Sequence, residues 1–76
     1  MHKEDILDRV IKLFSTMTEA EVAEDSEIME DLDITSMDVL FLISSIEEEF
    51  KIKIPEKAIR KIETVGDVAD IIDGLM

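Results

Sequence analysis

The sequence predicts an all-α fold: a small four-helix bundle of three main helices plus one short helix, with a long loop between the first and second helices. Apolar residues recur at spacings of three and four along several segments, the period of an amphipathic helix. Three Phe and no Tyr or Trp make the core aliphatic, which suits packed helices. A chain of 76 residues has room for one thin core, so residues 1–76 are predicted to form a single domain.

The first helix is predicted from about Lys3 to Phe14. Between Ser15 and Thr35 the pattern loosens, and about twenty residues without regular structure are unusual in a compact domain. We therefore expect this loop to be pinned by its own apolar residues or to serve a function. The apolar stripe of the helix comprises Ile6, Leu7, Val10, Ile11 and Phe14, and the apolar residues of the loop are Met17, Val22, Ile28, Met29 and Leu32.

The second helix is predicted to start at Ser36 and to end near Phe50. Thr35 and Asp38 occupy the two positions of a capping box, with Asp in place of the usual Glu. At about 100° per residue, one set of apolar residues faces a single direction and forms the expected core face. That set is Val39, Leu42, Ile43, Ile46 and Phe50.

The remainder predicts a connection and two more helices. KIKIP, residues 51–55, alternates like a strand but has no partner segment, so it is interpreted as an extended connection. Pro55 is expected at the first position of a short third helix. Thr64 and Asp67 repeat the capping-box spacing before a fourth helix, whose end is marked by Gly74. The third helix carries Ala58, Ile59 and Ile62, and the fourth buries Val65, Val68, Ala69, Ile72 and Leu75.

The charge of the chain limits its partners. With 20 acidic and 8 basic residues, the net charge of -12 repels nucleic-acid phosphates and anionic lipid headgroups. No cysteine is present, and the longest apolar run, residues 39–43, is far short of the roughly 20 residues of a membrane span. The N-terminus does not resemble a secretory signal. We expect a cytoplasmic monomer whose partners carry basic patches.

A second group on the second helix lies well over 100° from the core face. Either the long loop covers these residues, or they form a docking surface in which apolar side chains supply buried area and glutamates supply orientation. The group consists of Met37, Leu40, Phe41, Ser44, Glu47 and Glu48.

Ser36 lies at the N-terminal end of the same helix. A hydroxyl in this region ordinarily caps a helix, but Thr35 can take that role and leave Ser36 free. An anionic group on Ser36 would meet unpaired N–H groups and the positive end of the helix dipole. The spacing permits a phosphate-type attachment at this residue without establishing it.

The segment EDLDITSMDVLFLISSIEEEFKIKIPEKAIRKIETVGDVADII resembles the acyl carrier proteins, whose signature is a modifiable serine that opens an acidic helix ending in EEEF before an I-P turn. The preceding EVAEDSEIMEDLD is similar to the family's loop. The resemblance implies that Ser36 is esterified by 4′-phosphopantetheine from coenzyme A. The terminal thiol of that arm would carry acyl groups as thioesters, most often in fatty-acid synthesis.

The resemblance also implies roles for other residues. A phosphopantetheinyl transferase and acyl-processing enzymes with basic docking patches would contact Met37, Leu40, Phe41, Ser44, Glu47 and Glu48. A growing acyl chain would be sheltered by Ile46, Ile54, Ile59 and Ile62, although core packing accounts equally well for these four.

Four positions depart from the family pattern. The usual D-S-L is Thr35-Ser36-Met37, Asp33 replaces a common glycine, and Phe41 stands where an acidic residue is common. These departures leave open a specialised carrier for polyketide, aminoacyl or unusual lipid synthesis.

Other function classes fit less well. An enzyme is disfavoured because the only histidine is the terminal His2. Asp31, Asp33 and Thr35 mimic the first ligands of an EF-hand, but Ser36 and Leu42 occupy its glycine and glutamate positions, so no metal site is predicted. An acidic helical interaction module that is never modified is the remaining alternative. Mass measurement after incubation with coenzyme A and a transferase distinguishes it from a carrier.

Overall fold

The computed structural model describes residues 2–76, which form four helices. These are α1 (Lys3–Ser15), α2 (Ser36–Phe50), α3 (Glu56–Ile59) and α4 (Val65–Leu75). The predicted all-α architecture, with three main helices and one short helix, is confirmed. Within the described residues no strand occurs beyond a single isolated bridge between Glu27 and Thr64, and no helix is long and apolar enough to cross a membrane.

The core is aliphatic around two aromatic side chains, Phe14 and Phe50, and α1 packs mainly against α4. The whole predicted core face of α2 is buried. Among the described residues, the buried apolar side chains are Ile6, Val10, Phe14, Ile28, Leu32, Ile34, Val39, Leu42, Ile43, Ile46, Phe50, Ile54, Val65, Val68, Ala69 and Ile72.

Two details of the helix predictions need correction. Pro55 precedes α3 as its N-cap, with ψ at 147°, because the extended approach from residues 51–54 continues through it. Leu75 is 42% exposed instead of lying in the buried stripe of α4, since it occupies the last helical position beyond the packed turns.

The long loop is pinned to the bundle by the side chains of Ile28, Leu32 and Ile34, which are almost fully buried. Met29 is the exception to the prediction, because its side chain is 57% exposed. The buried hydroxyl of Ser26 accepts a hydrogen bond from the Ala23 N–H at 3.0 Å and so stabilises a turn within the loop.

Backbone hydrogen bonds join the loop to the start of α4. The Ile28 N–H donates to the Glu63 carbonyl at 3.0 Å, and the Val65 N–H donates to the Ser26 carbonyl at 3.1 Å. The Gly66 N–H donates to the Glu24 carbonyl at 2.8 Å. The last two bonds satisfy N–H donors that the N-terminus of α4 would otherwise leave unpaired, and all three fix the loop on one side of the bundle.

Candidate functional site

Ser36 is the first residue of α2, and its side chain is exposed. Thr35 precedes it in an extended conformation, and its Oγ1 accepts a hydrogen bond from the Asp38 N–H at 3.3 Å. The capping role therefore belongs to Thr35. Within residues 2–76 the Ser36 hydroxyl makes no hydrogen bond, so it is available for covalent modification.

The capping box predicted at Thr35 and Asp38 forms in one direction only. Across the described chain, no bond returns from the Thr35 N–H to the Asp38 carboxylate. The shorter side chain of Asp does not by itself prevent the return bond, because Asp67 makes one at the start of α4. The N-terminus of α2 is thus held more loosely than a full capping box would hold it.

The backbone before Ser36 contains a left-handed residue. Asp33 has a φ of 53°, a conformation that favours glycine and costs most other residues about 1–2 kcal/mol. Asp tolerates this region better than most residues because its short side chain can bond locally. This backbone conformation explains why the family pattern commonly has glycine at this position.

A cleft of about 540 Å³ opens beside Ser36 between the loop, α2 and the segment that contains α3. Ile59 and Ile62 line this cleft as predicted for an acyl-chain site, whereas Ile46 and Ile54 are buried in the core outside its lining. The four isoleucines thus do not share one open space. The apolar lining is Ile28, Met29, Val39, Leu40, Ile59 and Ile62, and the polar lining is Ser36, Glu27, Glu30, Glu63 and Arg60.

The rim of the cleft is strongly acidic on the loop side. A hydrogen bond with Glu30, together with its like charge, raises the pKa of the exposed Glu27 carboxyl above its ordinary value. Two carboxyl groups this close repel each other when both are ionised. Anions that approach the cleft from this side are therefore disfavoured.

The second face of α2 is exposed, so the alternative in which the loop covers it is wrong. Met37 is 81% exposed, Phe41 70% and Leu40 55%. Ser44 and Glu48 are also exposed. Successive spacings of four, three and four place Met37, Phe41, Ser44 and Glu48 within about 60° of one another around the helix axis. They form one strip that begins beside Ser36.

Glu47 has an internal contact that the sequence analysis missed. Its Oε2 accepts a hydrogen bond from the Ile54 N–H at 2.7 Å, and its side chain is only partly exposed. This bond ties α2 to the extended connection that leads into α3. No local pattern signals it, because it depends on how residues 51–54 fold back after Lys51, which ends α2 in a left-handed conformation at a φ of 57°.

No group of three or more His, Asp or Glu side chains placed to hold a metal ion is found among residues 2–76. Glu49, the last glutamate of α2, lies 3.8 Å from the guanidinium of Arg9 on α1. Glu48 is thus the glutamate of this helix whose carboxylate makes neither an ion pair nor a hydrogen bond within the described part of the chain.

Comparison with known proteins gives a consistent result. A family model described as a phosphopantetheine attachment site matches residues 8–72. The chain is 41% identical to an acyl carrier protein of Wolinella succinogenes over 70 residues, which cover 92% of this chain and 91% of that protein. It is 36% identical to an acyl carrier protein of Campylobacter fetus over 72 residues, 95% of this chain and 92% of the relative. The solved structure of an acyl carrier protein from Enterococcus faecalis superposes with a TM-score of 0.85 at 32% identity, and each chain is covered in full.

Proposed function

The chain belongs to the acyl carrier protein family, whose prosthetic group is 4′-phosphopantetheine, and we propose that Ser36 is the residue that carries this group. Acyl carrier proteins carry acyl groups rather than catalyse reactions on them. We take residues 1–76 to act as one carrier domain with no catalytic residue of its own.

The observation that supports Ser36 is its unbonded, exposed hydroxyl beside the cleft. Other hydroxyls of the chain are less suited. Ser15 and Ser45 donate to the carbonyls of Ile11 and Phe41 within their own helices, and Ser26 is buried. Ser44 is exposed but lies in the middle of α2, where no helix N-terminus faces it.

The position also suits the chemistry of attachment. Loading forms a bond between Ser36 Oγ and the phosphorus of coenzyme A that bears pantetheine, and it breaks the bond to the second phosphorus. Adenosine 3′,5′-bisphosphate leaves, and the hydroxyl proton passes to a base on the transferase. A phosphodiester on Ser36 would be stabilised by the N–H groups of the first turn of α2, an interaction of about 0.3–1 kcal/mol at an exposed site.

The cleft supports a place for the acyl chain. An acyl group attached through Ser36 would enter at Leu40 and Val39 and lie against Ile59 and Ile62. Ile46 and Ile54 lie deeper, so a long chain would reach them only by parting the core. Once buried, each methylene of the chain contributes about 0.8 kcal/mol.

Partner docking is proposed on the exposed strip of α2. The phosphopantetheinyl transferase and the acyl-processing enzymes would place apolar side chains against Met37, Leu40 and Phe41, with Ser44 beside them. A basic patch would meet Glu48, while Glu47 could be shared between a partner and the Ile54 N–H. We propose that the chain acts as a cytoplasmic monomer in fatty-acid synthesis. The exposed Phe41 favours a specialised carrier as the second candidate.

Intact-mass measurement tests the attachment. After incubation with coenzyme A and a promiscuous transferase, the wild-type chain should gain the mass of one phosphopantetheine. Ser36→Ala should gain none, and Ser15→Ala, which changes an exposed serine outside the proposed docking surface, should load fully. Loading that persists in Ser36→Ala would assign the arm to another residue. An unchanged wild-type mass with intact helical circular dichroism would favour the unmodified interaction module.

Recovery of the natural cargo tests the pathway. Protein purified from its host should carry saturated or 3-oxoacyl thioesters if it works in fatty-acid synthesis. Aminoacyl or branched polyketide groups on the arm would instead support the specialised carrier.

A further inference from the structure

Arg60 is the one cation among the residues that line the cleft beside Ser36, a lining that also contains Glu27, Glu30 and Glu63. It lies at the C-terminal end of α3, whereas Ser36, Val39 and Leu40 lie on α2 across the cleft. The phosphopantetheine arm must leave Ser36 along this cleft or away from the protein. Arg60 is therefore the charged donor that an arm lying in the cleft would meet.

The present partner of Arg60 is weakly held. Its Nη2 donates to Glu56 Oε1 at 2.8 Å, one helical turn away, and the two side chains are 77% and 78% exposed. Exposed ion pairs of this kind contribute little to stability, because water screens them and both side chains must be ordered. A second acceptor can replace Glu56 at little cost.

The chemistry of the arm matches a donor at this place. Its phosphodiester stays at Ser36 beside the N–H groups of the first turn of α2, and its two amide carbonyls lie further along the chain. Arginine offers five N–H donors in a planar fork and no acceptor. The carboxylates of Glu27, Glu30 and Glu63 offer acceptors only. Among these charged groups, only Arg60 can donate to the carbonyl oxygens of the arm.

We propose that Arg60 is a binding residue for the phosphopantetheine arm: its guanidinium exchanges Glu56 for an amide carbonyl of the arm and holds the arm along the cleft. This inference rests on the proposed attachment at Ser36 and deepens it. The held arm lies against Ile59 and Ile62, so its acyl end is directed toward the apolar lining. A partner enzyme then has to break one exposed hydrogen-bonded contact to withdraw the arm.

The test uses the loaded protein itself. The arm is installed from coenzyme A labelled with ¹⁵N and ¹³C in its pantetheine part, and NMR relaxation of the two arm amides is recorded. In the wild type, at least one amide should show an order parameter above about 0.6, the range of restrained groups. Arg60→Met, which keeps a side chain of similar length but has no N–H donor, should lower it below that value and should weaken the nuclear Overhauser effects between the arm and the Ile59 and Ile62 methyl groups.

Lys57→Met is the matched control, because Lys57 is an exposed cation of the same short helix that does not line the cleft. It should leave the arm signals unchanged, whereas Arg60→Lys, which keeps the charge without the planar fork, should give an intermediate effect. An arm equally mobile in wild type and Arg60→Met overturns the inference, as does an equal effect of Lys57→Met. Failure of the attachment itself is distinguished beforehand, because the intact mass would show no arm.

Discussion

The N-termini of α2 and α4 carry the same short signature, a Thr followed three residues later by an Asp, yet they differ in structure. At α4 the bonds run both ways: the Asp67 N–H donates to Thr64 Oγ1 at 3.2 Å, and the Thr64 N–H donates to Asp67 Oδ2 at 3.0 Å. At α2 a single bond of 3.3 Å joins the Asp38 N–H to Thr35. One helix start is closed by a full capping box and the other by half of one.

Their surroundings explain how the two ends are used. The loop packs over the start of α4 and supplies the Ser26 and Glu24 carbonyls to its N–H groups. The start of α2 has no such cover, and Ser36 is exposed there. A carrier needs both kinds of end, because a rigid bundle must present one hydroxyl that a transferase can reach. The loop creates the difference by covering one helix start and not the other.

Gly66→Ala should cause the largest loss of stability, because it disrupts the contact between the loop and the start of α4. A Cβ at Gly66 would lie 3.0 Å from the Glu24 carbonyl oxygen and 2.9 Å from Glu24 Cγ, so the loop would have to move away from α4. We expect a loss of about 1–3 kcal/mol in the free energy of unfolding, as for other overpacked sites. Urea denaturation followed by circular dichroism measures it.

Gly74→Ala is the control for that substitution, since nothing lies within 4 Å of a Cβ at Gly74. Replacing a helical glycine by alanine should there stabilise the protein by about 0.5 kcal/mol. Equal effects at the two glycines would mean that the loop contact at Gly66 does not hold the start of α4.

Removing each cap should give the next largest effect. Thr64→Ala removes the hydroxyl that accepts from the Asp67 N–H at a half-buried helix start and should cost about 1–2 kcal/mol, although the backbone N–H of residue 64 can still donate to Asp67. Thr35→Ala removes one long bond at an exposed helix start, where water can replace it, and should cost about 0.5 kcal/mol. The same denaturation series measures both. A larger loss at Thr35 than at Thr64 would contradict the ranking of the two helix ends.

Much of this difference lies beyond what the sequence predicts. Helical periodicity located all four helices and the buried face of α2, and the Thr-x-x-Asp spacing located both caps, because these signals act within a few residues. The hydrogen bonds that cover the start of α4 depend on residues 24–28, which lie about forty positions earlier in the chain. No local pattern can encode that contact.

The candidate site shows the same division. The position after Thr35 predicts only that the Ser36 hydroxyl is free of a capping role, and the resemblance to acyl carrier proteins makes Ser36 the candidate for attachment. The bond from the Ile54 N–H to Glu47 and the place of Arg60 on the cleft both depend on how residues 51–62 fold back against α2. The exposure of Met29 and Leu75 was not predicted for a similar reason, because periodicity marks apolar residues without showing which of them find a partner.

Asp33→Gly tests the cost of the left-handed backbone that precedes the exposed start of α2. Glycine adopts the φ of 53° without strain, which should raise the free energy of unfolding by about 0.5 kcal/mol after the greater freedom of the unfolded chain is counted. Asp33→Asn serves as the control, because it removes the charge and keeps the side chain. If the two variants are equally stabilised, relief of charge repulsion explains the gain. The loading rate of Ser36 should not change in either variant.

The smallest expected effect is the pH dependence of the stability that the Asp67 carboxylate gives to the start of α4. Hydrogen bonds from the backbone N–H groups of Thr64 and Glu63 hold the pKa of Asp67 below its ordinary value of 3.8, against the opposing effect of partial burial. A carboxyl group whose pKa is lower in the folded state stabilises the protein above its unfolded pKa, and this stabilisation is lost as the pH falls below about 4. Asp67→Asn keeps an acceptor oxygen but not the charge. It should therefore be less stable than wild type at pH 7, and the gap should close on acidification. Asp73→Asn, which removes an exposed carboxylate farther along α4, should show no such closing gap. A gap at Asp67 that widens on acidification would mean that the ionised carboxylate does not hold the start of α4.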